Sequence, residues 1–352
     1  MKVRGDVLAA CMLALVVVAG GVAVWRLSPI EDRIGDTDTL GTRHTTRTLQ
    51  ALEASPSVDL TDTGLAEMIV DTAQPRQTSP LEPAAFSAER TLETVRDLEA
   101  LGPRGGGSDA ETRAAEYLRD RLAQLGLDAR IEEFPLPGGA VSRNVVARIV
   151  GLTDTLVVLG AHMDTKPPSP GANDNASGCG ALVEIARLLV ADQPAATVEV
   201  VFFGSEETIG SDPNVHHLGS RYRVSQMSAT ERAQTAGMIS IDMIGYGTEF
   251  HSRTMGRGPR TLSDALLARA RALGIGITYL RDPGSSGWSD HEPYELAGIP
   301  SAWLEWRDDP AYHTKQDTAG RLSSAKIASA GRLVLEFVRG LDATSLRELT
   351  ER

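Results

Sequence analysis

The chain is 352 residues long, 41% hydrophobic and 23% charged, a composition that supports a sizeable folded core and argues against a largely disordered protein. Its formal net charge of −12, with no clustered Lys and Arg, argues against nucleic-acid binding, which relies on counterion release at concentrated positive charge. The two cysteines, Cys11 in an apolar N-terminal run and Cys179 in a Gly-rich segment, are too differently placed to suggest a disulfide or a redox compartment.

Lys2 and Arg4 precede an uncharged run from Val7 to Trp25. As a helix that run would span roughly 28 Å, enough to cross a bilayer. It predicts an N-terminal transmembrane helix within residues 1–28, anchoring a domain on the extracytoplasmic side, periplasmic or at the cell surface. A cleavable signal peptide ending near Ala19 and Gly21 is the rival reading, and would make the protein secreted. Residues 29–84, rich in Thr, Asp, Ser, Pro and Glu, predict a flexible tether, and residues 85–345 the folded domain.

Within that domain Phe86, Leu92, Val95 and Leu98 recur at helical spacing after Ser87, and a second helix is expected from the cap Ser108 through Leu125. GPRGGGSD between them reads as a turn. ARIEEFPL and SRNVVARIVG predict paired strands, and the continuous apolar run in TLVVLGAHMD a buried one. Alternation follows: a helix over Gly178–Ala191, a strand over Ala196–Gly204, a helix from Leu218, a strand over Gly237–Ile244 and a helix over Leu262–Leu273. GIGITYLRD, GIPSAWLEW and a closing helix over Ser323–Leu341 complete the set. The pattern predicts an α/β three-layer sandwich with a central, mostly parallel mixed sheet, whose ligands bind beyond the carboxyl ends of its strands.

Seven side chains fall at or near those ends. His162 and Asp164 close TLVVLGAHMD, Asp174 lies in GANDNASG, Glu206 and Glu207 follow VEVVFFGS, Asp242 interrupts MISIDMIG, and His313 lies in PAYHT. Two imidazoles and several carboxylates are the donors that a pair of borderline-hard divalent ions takes. A strand's alternation would put His162 and Asp164 on one side, letting the carboxylate hold the imidazole nitrogen turned away from the metal. In Glu206-Glu207 one acid can bind metal while its neighbour accepts a proton from water and passes it to the leaving amine. Asp242 sits in an apolar strand where a lone carboxylate is costly, and metal ligation resolves the conflict. Asn173, Asp174, Asn175 and Ser177 are all good helix caps, so Asp174 read alone could do only that. His44, His216, His217, His251 and His291 have no matching context and read as structural.

Together AHMDT, GANDNASG, GSEE, IDMIG, SDHEPYELAGIP and YHT resemble the co-catalytic zinc aminopeptidases of metallopeptidase family M28, a group that also includes glutamate carboxypeptidase and the glutaminyl cyclases. The resemblance covers about Phe86 to Leu341. It implies two zinc ions, with Asp174 bridging them, His162 and Asp242 completing one site, and Glu207 and His313 the other. It further implies Glu206 as general base, Asp164 as the support of His162, and Tyr312 as a hydroxyl that polarises the scissile carbonyl. The expected activity is release of N-terminal residues from peptides by metal-activated water. A glutaminyl-peptide cyclotransferase, a carboxypeptidase and a non-catalytic receptor-like ectodomain are the alternatives.

Overall fold

The computed structural model describes residues 84–210 and 212–351, together with the backbone of two short strands, β1 (Leu15–Val18) and β2 (Gly21–Val24). The chain divides into a unit spanning Met1–Arg76 and a unit spanning Gln77–Arg352. In the first, β1 and β2 pair antiparallel, Leu15 opposite Val24 and Val18 opposite Gly21. That ladder replaces a helix over part of Val7–Trp25, and the β-branched valines that fill it favour extended backbone. The remainder of that run, and the tether expected over residues 29–84 as far as residue 83, lie outside the described residues. Among the described residues no helix is long and apolar enough to cross a membrane.

In the second unit α1 (Ala88–Glu99) and α2 (Asp109–Gln124) start where the sequence predicts, with Ser87 Oγ accepting from Arg90 N and Ser108 Oγ from Glu111 N. Then follow β3 (Arg130–Pro135), β4 (Val141–Ile149), β5 (Thr153–His162), α3 (Ser177–Ala191), β6 (Ala196–Phe203), α4 (Leu218–Gln226), α5 (Ala229–Gln234) and β7 (Thr235–Ile241). The remainder comprises β8 (Glu249–Thr254), α6 (Thr261–Leu273), β9 (Thr278–Arg281), α7 (His291–Leu296), β10 (Ser301–Arg307), α8 (Ser324–Arg339) and α9 (Ala343–Thr350).

The strands form one eight-stranded sheet in the order β3-β4-β6-β5-β7-β10-β8-β9. The four central strands β6, β5, β7 and β10 run parallel, β4 and β8 flank them antiparallel, and β3 and β9 form the edges. The chain leaves β5 for β6 on one side and reaches β7 on the other, which makes the carboxyl end of β5 a topological switch point. Alternate residues of β5 serve opposite faces. Val157, Leu159 and Ala161 join the core under α1, α2, α3, α6, α8 and α9, while Leu156 and Val158 pack with Met227, Tyr294 and Ile299 from the α4 and α7 side. Three layers result, as expected.

Two differences from the sequence reading have local causes. β7 stops at Ile241 rather than Ile244 because Met243 takes a left-handed conformation, φ 57°, that breaks the ladder. β8 carries no apolar alternation, yet His251, Ser252, Arg253 and Thr254 are buried in it. Their polar groups pair internally, Ser252 with Ser263 at 2.8 Å and Arg253 Nε donating to Asp282 at 2.8 Å, so no apolar pattern is needed.

The GPRGGGSD loop does more than turn. Arg104 is fully buried, and its guanidinium donates to the carbonyl oxygens of Met163, Leu98, Pro170 and Gly171 at 2.8, 3.0, 2.6 and 3.0 Å. It thereby fastens the end of β5 to the loop that delivers Asp174. Methionine at position 104 would fill similar volume and leave those acceptors unpaired at roughly 1–3 kcal/mol apiece, with partial relaxation. Arg104→Met is therefore expected to lower unfolding free energy by about 3 kcal/mol or more, read from urea midpoints; a loss under about 1 kcal/mol would contradict this role.

Candidate metal centre

All seven side chains singled out in the sequence converge at the carboxyl ends of β5, β6, β7 and β10. His162 is the last residue of β5, Glu206 and Glu207 follow β6, Asp242 follows β7, and His313 lies in the loop after β10. Asp174 arrives from the irregular turn Ala172–Ala176 that leads into α3. The capping that could have explained Asp174 falls instead to Asn175, whose Oδ1 accepts from Gly178 N at 2.9 Å. Gly178 is required there, since a Cβ would lie 2.0 Å from the Ile241 carbonyl oxygen.

Asp174 is the centre of the arrangement. Its Oδ1 stands 3.1 Å from His162 Nε2 and its Oδ2 3.2 Å from His313 Nε2, so its two oxygens face two different imidazoles. Asp242 Oδ1 lies 3.4 Å from His162 Nε2, and Glu207 Oε1 2.8 Å from His313 Nε2. Two donor sets follow, His162 with Asp242 and His313 with Glu207, and Asp174 lies between them. Glu206 Oε2 stands farther back, 4.0 Å from His162 Nε2.

Supports behind these groups are as specific as the groups themselves. Asp164, fully buried, places Oδ1 3.6 Å from His162 Nδ1, and the imidazole nitrogen lies 3.2 Å from the Asp164 backbone oxygen. The same carboxylate accepts from the backbone N–H of Glu206 at 3.0 Å and of Glu207 at 3.2 Å, so it holds the acidic pair as well as the imidazole. Asp317 does likewise for the turn, accepting from the N–H groups of Asn173 and Asp174 at 2.7 and 3.1 Å. Ser289 Oγ donates to Asp242 Oδ2 at 2.8 Å, which gives SDHEPYELAGIP a direct part in the site. Asp317 and Arg104 were not singled out in the sequence, and Ser289 only as part of the SDH segment, without the hydrogen bond to Asp242.

The electrostatics show what the site lacks. Burial, then the Asp174 carboxylate, pushes Glu207 up to about 8. Burial raises Asp242 too, against the pull of His162. Burial would raise Asp174, but the His162 and His313 imidazoles beside its two oxygens hold it well below the ordinary carboxylate range. Burial would depress His313, yet Asp174 and Glu207 bring it up to about 10. Glu207 Oε1, Asp242 Oδ1 and His313 Nε2 are buried without a hydrogen-bond partner. Orphaned donor atoms on carboxylate and imidazole, aimed at one another with no usable angle between them, are the condition a divalent cation relieves. The residues present therefore fit zinc.

The site opens into a cavity of about 450 Å³. Strand-end groups form its floor, with Trp303, Glu305 and Arg253 along one wall, while the rim comes from loops: Thr208 and Pro213 on one side, Ser286, Gly287 and Trp288 on the other. Tyr312 also lines it, half exposed and stacked 3.6 Å over the His313 ring. Partial burial, then the Asp174 and Glu207 carboxylates, raises its phenol above the ordinary value, so the hydroxyl stays a neutral donor. His217, read from sequence as structural, is in the cavity wall. Burial would lower its pKa, but Glu206 and Glu292 outweigh that and bring it up to about 10.

The family model of peptidase family M28 matches residues 144–338, more than half of the chain. Aminopeptidase YwaD of Bacillus subtilis is 31% identical over 193 residues, covering 52% of this chain; the chain spans 40% of that relative's length. Among solved structures, a zinc aminopeptidase from Bacillus subtilis superposes with a TM-score of 0.66 at 20% identity, covering 72% of this chain and 94% of that one. The glutaminyl cyclase of Tannerella forsythia superposes with a TM-score of 0.65 at 24% identity, covering 74% and 100%. At those identities the superpositions speak for the fold, while the family match spans the strands and loops that carry His162, Asp174, Glu206, Glu207, Asp242 and His313. The chain belongs to peptidase family M28.

Proposed function

We propose that the protein is a two-zinc aminopeptidase. The observation that carries this reading is the division of Asp174 between His162 and His313, one carboxylate oxygen toward each. Asp174, His162 and Asp242 would hold one ion, and Asp174, Glu207 and His313 the other. When bound, such ions supply Lewis acidity at the scissile carbonyl and make water a competent nucleophile near neutral pH. Glu206, set back from the donor atoms, takes the proton from the attacking water and returns it to the leaving amine. Asp164 fixes the direction of the His162 ring and the backbone of Glu206, and Tyr312 offers its hydroxyl to the carbonyl oxygen as charge develops there.

The cavity wall supports recognition of a free amine over a free carboxylate. Arg253, buried beside the site, is committed to Asp282 and Glu305 and lies flat over Trp303, 4.1 Å from its ring centre. Arg281 Nε donates to the Met255 carbonyl oxygen at 3.0 Å, and Arg307 lies beside Asp308, 3.4 Å away. A carboxypeptidase needs an uncommitted cation here, whereas Arg307, the other arginine lining the cavity, is offset by Asp308 beside it.

Amino-acid release from peptides tests this. The zinc-loaded full chain is expected to act on free N-termini and to leave N-acetylated peptides intact, and Glu206→Gln to lower kcat by about 10²–10⁴-fold with zinc content preserved. Conversion of N-terminal glutamine to a cyclic product without release would favour the cyclase alternative instead. Metal dependence has its own readout. Zinc at roughly 100 times its Kd should stabilise the stripped protein by about 2.7 kcal/mol per site, and Asp174→Asn should remove most of that gain; an equal thermal shift in both proteins would refute Asp174 as the shared donor.

A further inference from the structure

The segment Glu206–His217 closes on itself. The His217 N–H donates to the Glu206 carbonyl oxygen at 2.7 Å, Leu218 N to Ser205 O at 2.9 Å and Gly219 N to Gly204 O at 3.1 Å, so residues 217–219 lie back along residues 204–206. Gly219 allows the approach, since a Cβ there would stand 2.4 Å from the Gly204 oxygen. His217 itself holds φ 53°, a left-handed conformation that a non-glycine residue keeps only when its surroundings impose it.

That conformation places the ring between two carboxylates from different elements. Nε2 stands 3.0 Å from Glu206 Oε1, and Nδ1 2.5 Å from Glu292 Oε2 in α7. Both His217 and Glu292 are buried. Glu206 is thus held by one oxygen on its far side, and its other oxygen, Oε2, is the one turned toward His162. His216, His217 and Glu292 together have the composition of a small cation site. Positive charge is already supplied there, because the Arg221 guanidinium lies 3.5 Å from Glu292 Oε2 and 3.4 Å from His216 Nε2, and both His217 nitrogens already face carboxylates. Orientation, rather than a third ion, is what the geometry serves.

We propose that His217, steadied by Glu292, is a positioning residue for Glu206: it fixes Oε1 so that Oε2 alone faces the reacting water. This rests on the reading of Glu206 as general base. A carboxylate free to rotate would spend part of its time with neither oxygen on the water's proton, and such a misplacement costs turnover while leaving substrate binding intact. His217→Leu keeps the bulk and removes both the hydrogen bond to Glu292 and the ion-pair contact with Glu206. His217→Gln restores one donor within reach of Glu206.

In the zinc-loaded full chain, His217→Leu is expected to lower kcat by about tenfold or more with KM within about twofold, at unchanged zinc content, and His217→Gln to recover most of the loss. In a Glu206→Gln background the same Leu substitution should change the residual rate by less than about twofold, because its partner's function is already gone. A kcat unaffected by His217→Leu, or a loss that persists undiminished in the Glu206→Gln background, overturns the inference. If His217→Leu fails to fold, Glu292→Gln takes its place, with a smaller loss of the same kind expected and unchanged kcat overturning the steadying role.

A second readout needs no turnover. With ¹⁵N-labelled histidine, in zinc-loaded and in metal-free protein, Glu206→Gln should move the His217 Nε2 signal and Glu292→Gln the Nδ1 signal; an unmoved Nε2 overturns the proposal. A chain inactive on every peptide would overturn the aminopeptidase reading, and the nitrogen signals would still decide the role of His217.

Discussion

Four carboxylates, Asp174, Glu206, Glu207 and Asp242, are buried around one cavity floor, and that accumulation of negative charge is the constraint the rest of the structure answers. An unpaired buried carboxylate costs several kcal/mol or gives up its charge. Three imidazoles, one of them shared with Glu292, cannot neutralise four such groups, and the opposed shifts of Asp174 and Glu207 show the imbalance being shared out unevenly. Divalent cations resolve it. The parallel strands bring the acids to one edge, and Asp164, Asp317 and Ser289 keep them from relaxing away from each other into solvent or into private hydrogen bonds.

Backbone strain collects in the same place. Among the described residues the non-glycine positions with positive φ are Ser205, His217, Met243, Asp308 and His313. Ser205 precedes Glu206, Met243 follows Asp242, and the remaining three line the cavity. Each such residue costs of order 1–3 kcal/mol and persists only where neighbours over-determine it. At Met243 the strain ends the strand just after the donor, turning the chain away so that Asp242 faces the cavity. At His313 it aims the imbalance-correcting imidazole back toward Asp174 from a loop that has no ladder to direct it.

His162, Glu206, Glu207 and Asp242 were legible in the sequence because each sits where an apolar, strand-like run stops, whereas Asp174 and His313, in loops, were legible only through the motif set they complete. His162, Asp174, Glu207, Asp242 and His313 all meet as that pattern implies. Beyond Asp164, the supports were not legible. Asp317 acts through two hydrogen bonds across 144 and 143 residues of sequence and Ser289 through one across 47, and nothing local marks such a partner. The nearness of His217 to Glu206 was hidden for a related reason: eleven positions separate them, and only the hydrogen-bonded return of the backbone brings them side by side. Arg104 was hidden by its glycines, since a Gly-rich loop suggests a turn, whereas its guanidinium is met by carbonyls of α1, the end of β5 and the loop before Asp174. β8 escaped because its buried face is polar.

The floor and the rim of the cavity are built from different material. The floor belongs to strand ends locked by the sheet and by buried polar supports, while Thr208, Pro213, Ser286, Gly287 and Trp288 stand on loops outside the ladder. Chemistry and selectivity are thereby separable traits in this molecule. Changes in the length or composition of the two rim loops would leave the buried donor cluster on the strand ends untouched. The rim is the part of the cavity that the sheet does not hold in place.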